Sequence, residues 1–154
     1  MIEALVKSIH VMCGVVFIGI TIASFFYVLN SRRQQQADVL RYALKVSLLG
    51  DILLAMIILV QFVSATLLVH LNQLSVQTPW IEVAYLAFAV VSVLWLINVV
   101  IKVVNLKQVL FTHLKGYRWF CALHVLMLLI FVVIVHDATT QSTFLGFLIG
   151  DYHV

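Results

Sequence analysis

Apolar residues fill four long stretches that contain no Asp, Glu, Lys or Arg, at residues 8–29, 52–81, 83–101 and 119–136. A bilayer core about 30 Å thick is crossed by roughly 20 predominantly apolar residues of helix. Four such runs predict four transmembrane helices, at about 5–30, 37–70, 79–108 and 117–137, with a short outer tail over 138–154. The predicted fold class is all-α: one integral-membrane up-down four-helix bundle spanning 1–154, because the connections are short.

Local signals refine the ends. The polar stretch 31–38 forms the first loop, and the second helix starts before the membrane, near Ala37. Pro79, the only proline, fits the first turn of the third helix, where its missing N–H costs nothing, with Thr78 before it as N-cap. Nothing breaks that helix until Gly116, so it is expected to run past Lys102. Trp80, Tyr117 and Trp119 stand where an interfacial aromatic belt lies. The apolar patch 144–149 of the tail rests on the outer interface or over the bundle mouth. Gly14 and Gly19, with Ser24, read as small residues that let the first helix approach a neighbour.

Composition and charge then give the class and the orientation. Of the 154 residues, 64% are hydrophobic and 10% charged, a balance foreign to water-soluble globules of this size. Arg32, Arg33, Arg41 and Lys45 flank the first connection, and Lys102, Lys107, Lys115 and Arg118 the third; the second connection and the tail carry no Lys or Arg. Basic short loops stay cytoplasmic, which places both termini and the second connection outside. A net charge of +3 split between two short loops is an insertion signal and gives no basis for nucleic-acid binding. Lys7 before an apolar run resembles a secretory signal, but the run is too long, and Arg32 and Arg33 stand where a cleavage site belongs. Cys13 and Cys121 fall at opposite depths, which argues against a disulfide between them.

Ionisable groups inside apolar helices mark candidate sites. At a rise of about 1.5 Å per residue, His10 lies roughly 9 Å and His136 roughly 12 Å outward of the midplane, with His70 further out. His124 lies inward of the midplane, and His113 falls in or near the third connection. Three histidines from three helices at the outer half suggest metal or haem ligation, with His10 and His136 as axial ligands of a haem b and His70 as the alternative partner. Copper is the competing metal at His10, His70 and His136, with Met12 and Cys13 as soft donors beside His10 and with Met56 and Met127 nearer the midplane. The bland alternative is that the histidines only bond helices together.

A second group lies inward. Asp51, Asn98, Lys102 and His124 fall in one layer by the same rise, where Asp51 pairs with Lys102 or bonds His124. Such a layer serves as a proton or substrate relay, or as a lock between helices with Lys102 snorkelling. No Ser–His–Asp arrangement, phosphate-binding glycine loop, HExxH pair or internal duplication is visible, so hydrolysis and inverted-repeat transport find no support.

Lys7-Ser8-Ile9-His10, followed by an apolar run with Gly14 and Gly19, resembles the first helix of a group of small bacterial membrane proteins. The group includes the copper-resistance D type, the HemJ-type protoporphyrinogen oxidase and an uncharacterised integral-membrane family. The arginine-containing first loop, Asp51 early in the second helix and Pro79-Trp80-Ile81 resemble the uncharacterised family most. The resemblance implies a helical bundle whose His10 ligates haem or metal. In the oxidase a lysine near the start of the third helix matters; here Glu82 follows Ile81 and the next lysine is Lys102, a departure that counts against that activity.

The expectation from sequence is therefore an inner-membrane haem b protein that moves electrons to a periplasmic or quinone-like partner. The alternatives are a copper-handling membrane protein and a non-catalytic membrane subunit, and a homo-oligomer is compatible with each.

Overall fold

The computed structural model describes residues 1–107 and 117–143. His113, Lys115, Gly116, the end of the third helix at 108 and the tail patch 144–149 lie outside the described residues. The rest is an all-α bundle of four helices: α1 (Ile2–Arg33), α2 (Ala37–Leu71), α3 (Pro79–Lys107) and α4 (Tyr117–Thr140). All four are long and apolar enough to cross a membrane. α1 runs one turn beyond its apolar stretch; Arg32 and Arg33 suit a helix C-terminus, and the Ser31 hydroxyl donates to Tyr27 O at 2.7 Å, which satisfies it within the helix.

Short connections make neighbours antiparallel. α1 packs most extensively on α2 and α3 on α4, while α2–α3 and α1–α4 contacts close the ring. Across the diagonals, α1 with α3 and α2 with α4, no Cα atoms approach within 8 Å among the described residues. Only a long side chain spans that gap.

Turn chemistry sets the ends. Gln35, Gln73 and Gln141 follow α1, α2 and α4 in the left-handed region, at φ of 54°, 52° and 54°. This is the backbone that reverses direction after a helix, and glycine is its usual occupant. After α2, the N–H groups of Asn72, Gln73 and Leu74 return to the carbonyls of Leu68, His70 and Val69. Thr78 starts α3 by accepting from the N–H groups of Ile81 and Glu82 on its carbonyl.

The bundle interior has two apolar plugs. One joins Phe17, Leu54, Ile57, Val91, Met127 and Phe131 from all four helices, with the Phe17 and Phe131 rings 4.7 Å apart. The other, nearer the basic loops, joins Val28, Leu40, Leu44 and Phe120. Below it, the Arg32 guanidinium sits 3.6 Å over the Tyr117 ring and ties the end of α1 to the start of α4. The close approach of α1 to α2 is made at Gly50, whose Cβ would stand 3.2 Å from Ile20 Cγ2. Gly19 has nothing within 4 Å, and Gly14 sees only Gln61 at an ordinary 3.8 Å, so the tight contact lies on α2 and not at the two α1 glycines. Elsewhere leucines, valines and isoleucines such as Leu49, Ile52, Leu59 and Leu86 face outward, an apolar jacket that only lipid tolerates.

Candidate functional site

Between the two plugs lies a polar layer. α2 brings Asp51 into it and α3 brings Lys102, both almost wholly buried, at 4% and 1% exposure. The Lys102 ammonium donates to Asp51 Oδ2 at 2.7 Å and Oδ1 at 3.0 Å. Its third bond crosses the diagonal to Ser24 Oγ on α1, at 3.1 Å. Ser24 in turn shares a short hydrogen bond with Ser47, one turn before Asp51 on α2. Trp95, on the Lys102 face of α3, donates its indole N–H to Asp51 Oδ1 at 3.3 Å. One ammonium thus meets three acceptors from two other helices, and its carboxylate partner accepts a further N–H. A buried pair needs such supplementary bonds to offset desolvation.

Lys102 therefore pairs inward and does not snorkel. Asp51 takes Lys102 as its partner, while His124 turns to its own helix: its Nδ1–H donates to Phe120 O at 2.9 Å, and its ring packs against Phe120 and Phe25. With the proton on Nδ1, Nε2 is the acceptor end of the ring. His124 is 2% exposed and within electrostatic reach of Lys102. Asn98, one turn before Lys102, is 1% exposed. Its Nδ2 donates to Leu94 O at 3.3 Å, and its Oδ1 meets no donor among the described residues. Asn105, one turn further toward the basic end, is also buried.

At the opposite end, α1 and α2 build a smaller network. Gln61 Nε2 donates to His10 Nε2 at 3.1 Å, which puts the ring proton on Nδ1. That N–H donates to Ser64 Oγ at 2.9 Å, and the Ser64 hydroxyl donates to Gln61 O at 3.0 Å. Both nitrogens of His10 are thus engaged by α2. His136, half-buried on α4, donates from Nδ1 to the carboxylate of Asp137 at 3.2 Å. His70 is exposed near the end of α2. Among the described residues, no three His, Cys, Asp or Glu side chains are grouped to hold a metal ion. Met12 and Met56 face outward and Met127 lies in the apolar plug, so the thioethers do not share a site. Cys13 and Cys121 are free and pack beside different plugs. A crevice of about 450 Å3 on α1, lined by Ala23, Phe26, Tyr27, Leu29, Asn30 and Arg33, includes none of the histidines.

Sequence reasoning thus assembled the layer of Asp51, Asn98, Lys102 and His124 but missed Ser24, Ser47 and Trp95 as its partners. The signal was present at helical spacing: Ser47 is four residues before Asp51, and Trp95 seven before Lys102. Gln61 and Ser64 likewise shared one face of α2 within a charge-free run. Asp137 gave no such signal, because an acid next to a helix end reads as solvated, yet it is 0% exposed.

No curated protein and no solved structure matches the chain. A family model does, over residues 4–136, which include all four helices up to His136 and every residue of the buried layer. The chain belongs to the family described as predicted integral membrane protein (DUF2269).

Proposed function

We propose that this protein handles protons inside the bilayer, with the Lys102–Asp51 pair as its working site. The observation that carries the reading is the ion pair itself, buried in a membrane-spanning bundle. Ionisable groups at such positions are expensive and concentrate on ion and proton pathways. A helix lock has a cheaper solution, since well-packed apolar residues in place of a buried ion pair are often neutral or stabilising. A proton taken up by Asp51 turns its carboxylate into a carboxyl and raises the net charge of the pair from zero to +1. Release of the proton restores the pair, so one proton enters and one leaves per cycle. Lys102 stands five residues from Lys107 and twenty-three from Pro79, which favours exchange at the basic end.

The pair belongs, in this reading, to a bacterial inner-membrane protein with its basic loops in the cytoplasm and both termini in the periplasm. The test is proton movement into vesicles that contain only the purified protein and an internal pH dye, driven by a potassium diffusion potential. Native protein passes protons above the level of empty vesicles, and Asp51→Asn abolishes the difference. Equal rates for native protein and Asp51→Asn, or native protein no better than empty vesicles, remove the reading.

A second reading keeps haem b at His10 and His136, with electrons passed to a periplasmic or quinone-like partner. The observation in its favour is the Asp137 carboxylate on His136 Nδ1, the kind of contact that orients metal-ligating histidines. Against it, His10 Nε2 is held by Gln61, so ligation there needs the Gln61 amide to leave. An oxidised-minus-reduced visible spectrum with metal analysis separates haem, copper and neither. A full haem spectrum retained by His10→Ala would rule out His10 as ligand.

A further inference from the structure

Asn98 Oδ1 is a buried amide oxygen without a donor among the described residues, as Gln61 Oε1 is at the other end of the bundle. Of the two, only Asn98 stands beside a buried ammonium. It is buried in the layer of the ion pair, and its Nδ2 is used. A buried carbonyl without a partner is rare and calls for a reason. Asn98 stands four residues before Lys102, on the same face of α3. Long helical side chains lean back toward the N-terminus, over the turn that precedes them. By that rule the stem of Lys102 is expected over the turn that holds Asn98, while its ammonium bonds Asp51 and Ser24. All three ammonium protons are committed there, at 3.0 Å and 2.7 Å to Asp51 and 3.1 Å to Ser24.

We infer that Asn98 is a second seat for the Lys102 ammonium, a positioning residue that receives it when Asp51 loses its charge. The inference rests on the proton-handling reading of the pair. When Asp51 takes up a proton, its carboxyl becomes a donor and one of its oxygens stops accepting. The ammonium keeps three protons but loses an acceptor and its counter-charge. Asn98 Oδ1 supplies an acceptor within the turn over which the lysine stem is expected, so rotation about side-chain bonds makes the exchange. The other groups around Lys102 are less suited. From α1 comes Ser24, already bonded to it and to Ser47. From α2 comes Asp51 itself, and Trp95 of α3 donates to Asp51 and accepts nothing. From α4 comes His124, whose Nδ1–H is held on Phe120 O and whose ring packs tilted against Phe25 and Phe120. Its Nε2 is an acceptor too, but one on another helix, and the Asn98 carbonyl band distinguishes the two.

The test is Asn98→Leu in three settings: native protein, Asp51→Asn, and Asp51→Asn with Lys102→Met. Thermal unfolding in detergent is measured for each. If Lys102 moves to Asn98 when Asp51 is uncharged, the Leu substitution lowers Tm little in the native protein and in the double variant. In Asp51→Asn alone the drop is larger by roughly threefold, because only there does an ammonium depend on Asn98. Equal drops in all three overturn the inference. An infrared measurement covers the case in which Asp51→Asn does not fold. Native protein with 13C-labelled asparagine side chains is acidified, and the Asn98 carbonyl band is identified by its loss in Asn98→Leu. The band is expected to fall in frequency as the Asp51 carboxyl band rises, and to stay fixed in Lys102→Met. A carboxyl band that rises with no Asn98 shift overturns the second seat and leaves proton handling standing. The absence of any Asp51 carboxyl band overturns both.

Discussion

Lys102 Nζ lies 2.7 Å from Asp51 Oδ2, a contact between α3 and α2 made by two buried side chains, exposed by 2% and 5%. Each charge is tolerable there only because the other is present. Removing one partner of such a pair costs about 3–5 kcal/mol, whereas replacing both with apolar groups of similar volume is often neutral. Asp51→Asn and Lys102→Met are each expected to destabilise by that amount. The double substitution Asp51→Leu with Lys102→Met recovers most of the loss. Thermal unfolding of the four proteins in one detergent checks it; additive losses would show that the pair does not act as a unit.

Gly50 and Gly19 make opposite predictions from the same residue type. A side chain at Gly50 meets Ile20 Cγ2 at 3.2 Å, while one at Gly19 meets nothing within 4 Å. Overpacking a tight contact costs about 1–3 kcal/mol, and Gly50→Leu is expected to fall in that range. Gly19→Leu is expected to stay within about 0.5 kcal/mol of the parent, as substitutions that touch nothing usually do. Detergent-denaturation midpoints for the two variants compare them directly.

The turns after α1 and α2 hold Gln35 and Gln73 in a conformation glycine adopts more easily. The left-handed backbone costs an ordinary residue roughly 1–2 kcal/mol, and part of that is offset by the greater freedom of glycine in the unfolded chain. Gln73→Gly is expected to raise stability by about 0.5–1 kcal/mol, and Gln73→Val to lower it, since a β-branched residue is a steric outlier there. A lower Tm for Gln73→Gly than for Gln73→Val would contradict the turn geometry.

The basic connections predict sidedness. In a variant with Cys13 and Cys121 replaced by alanine, a single cysteine at Gln73 is expected to react with a membrane-impermeant maleimide added to intact cells. A single cysteine at Gln35, beside Arg32 and Arg33, is expected to react only after the cells are opened. The reverse pattern would invert the placement of both termini and of the proposed proton entry.

The sequence by itself determined the class and number of the elements. Four charge-free runs must form helices in a bilayer, because no water is present to satisfy exposed backbone groups, and a helix satisfies its own. It also placed Asp51, Asn98, Lys102 and His124 at one depth, since depth depends only on position along a helix of known rise. Rotation about each helix axis and choice of neighbour were different questions. With almost every surface apolar, no amphipathic stripe marks which face turns inward, so the layer could be located but not wired. Packing decided that Lys102 reaches across the diagonal to Ser24, that Asp51 takes Lys102 while His124 returns to Phe120, and that Gly50 makes the close approach. It also decided that Asp137, next to a helix end in the sequence, is wholly buried beside His136. These are pairwise contacts between helices, and they follow from how four neighbouring surfaces fit together rather than from the order of residues along any one of them.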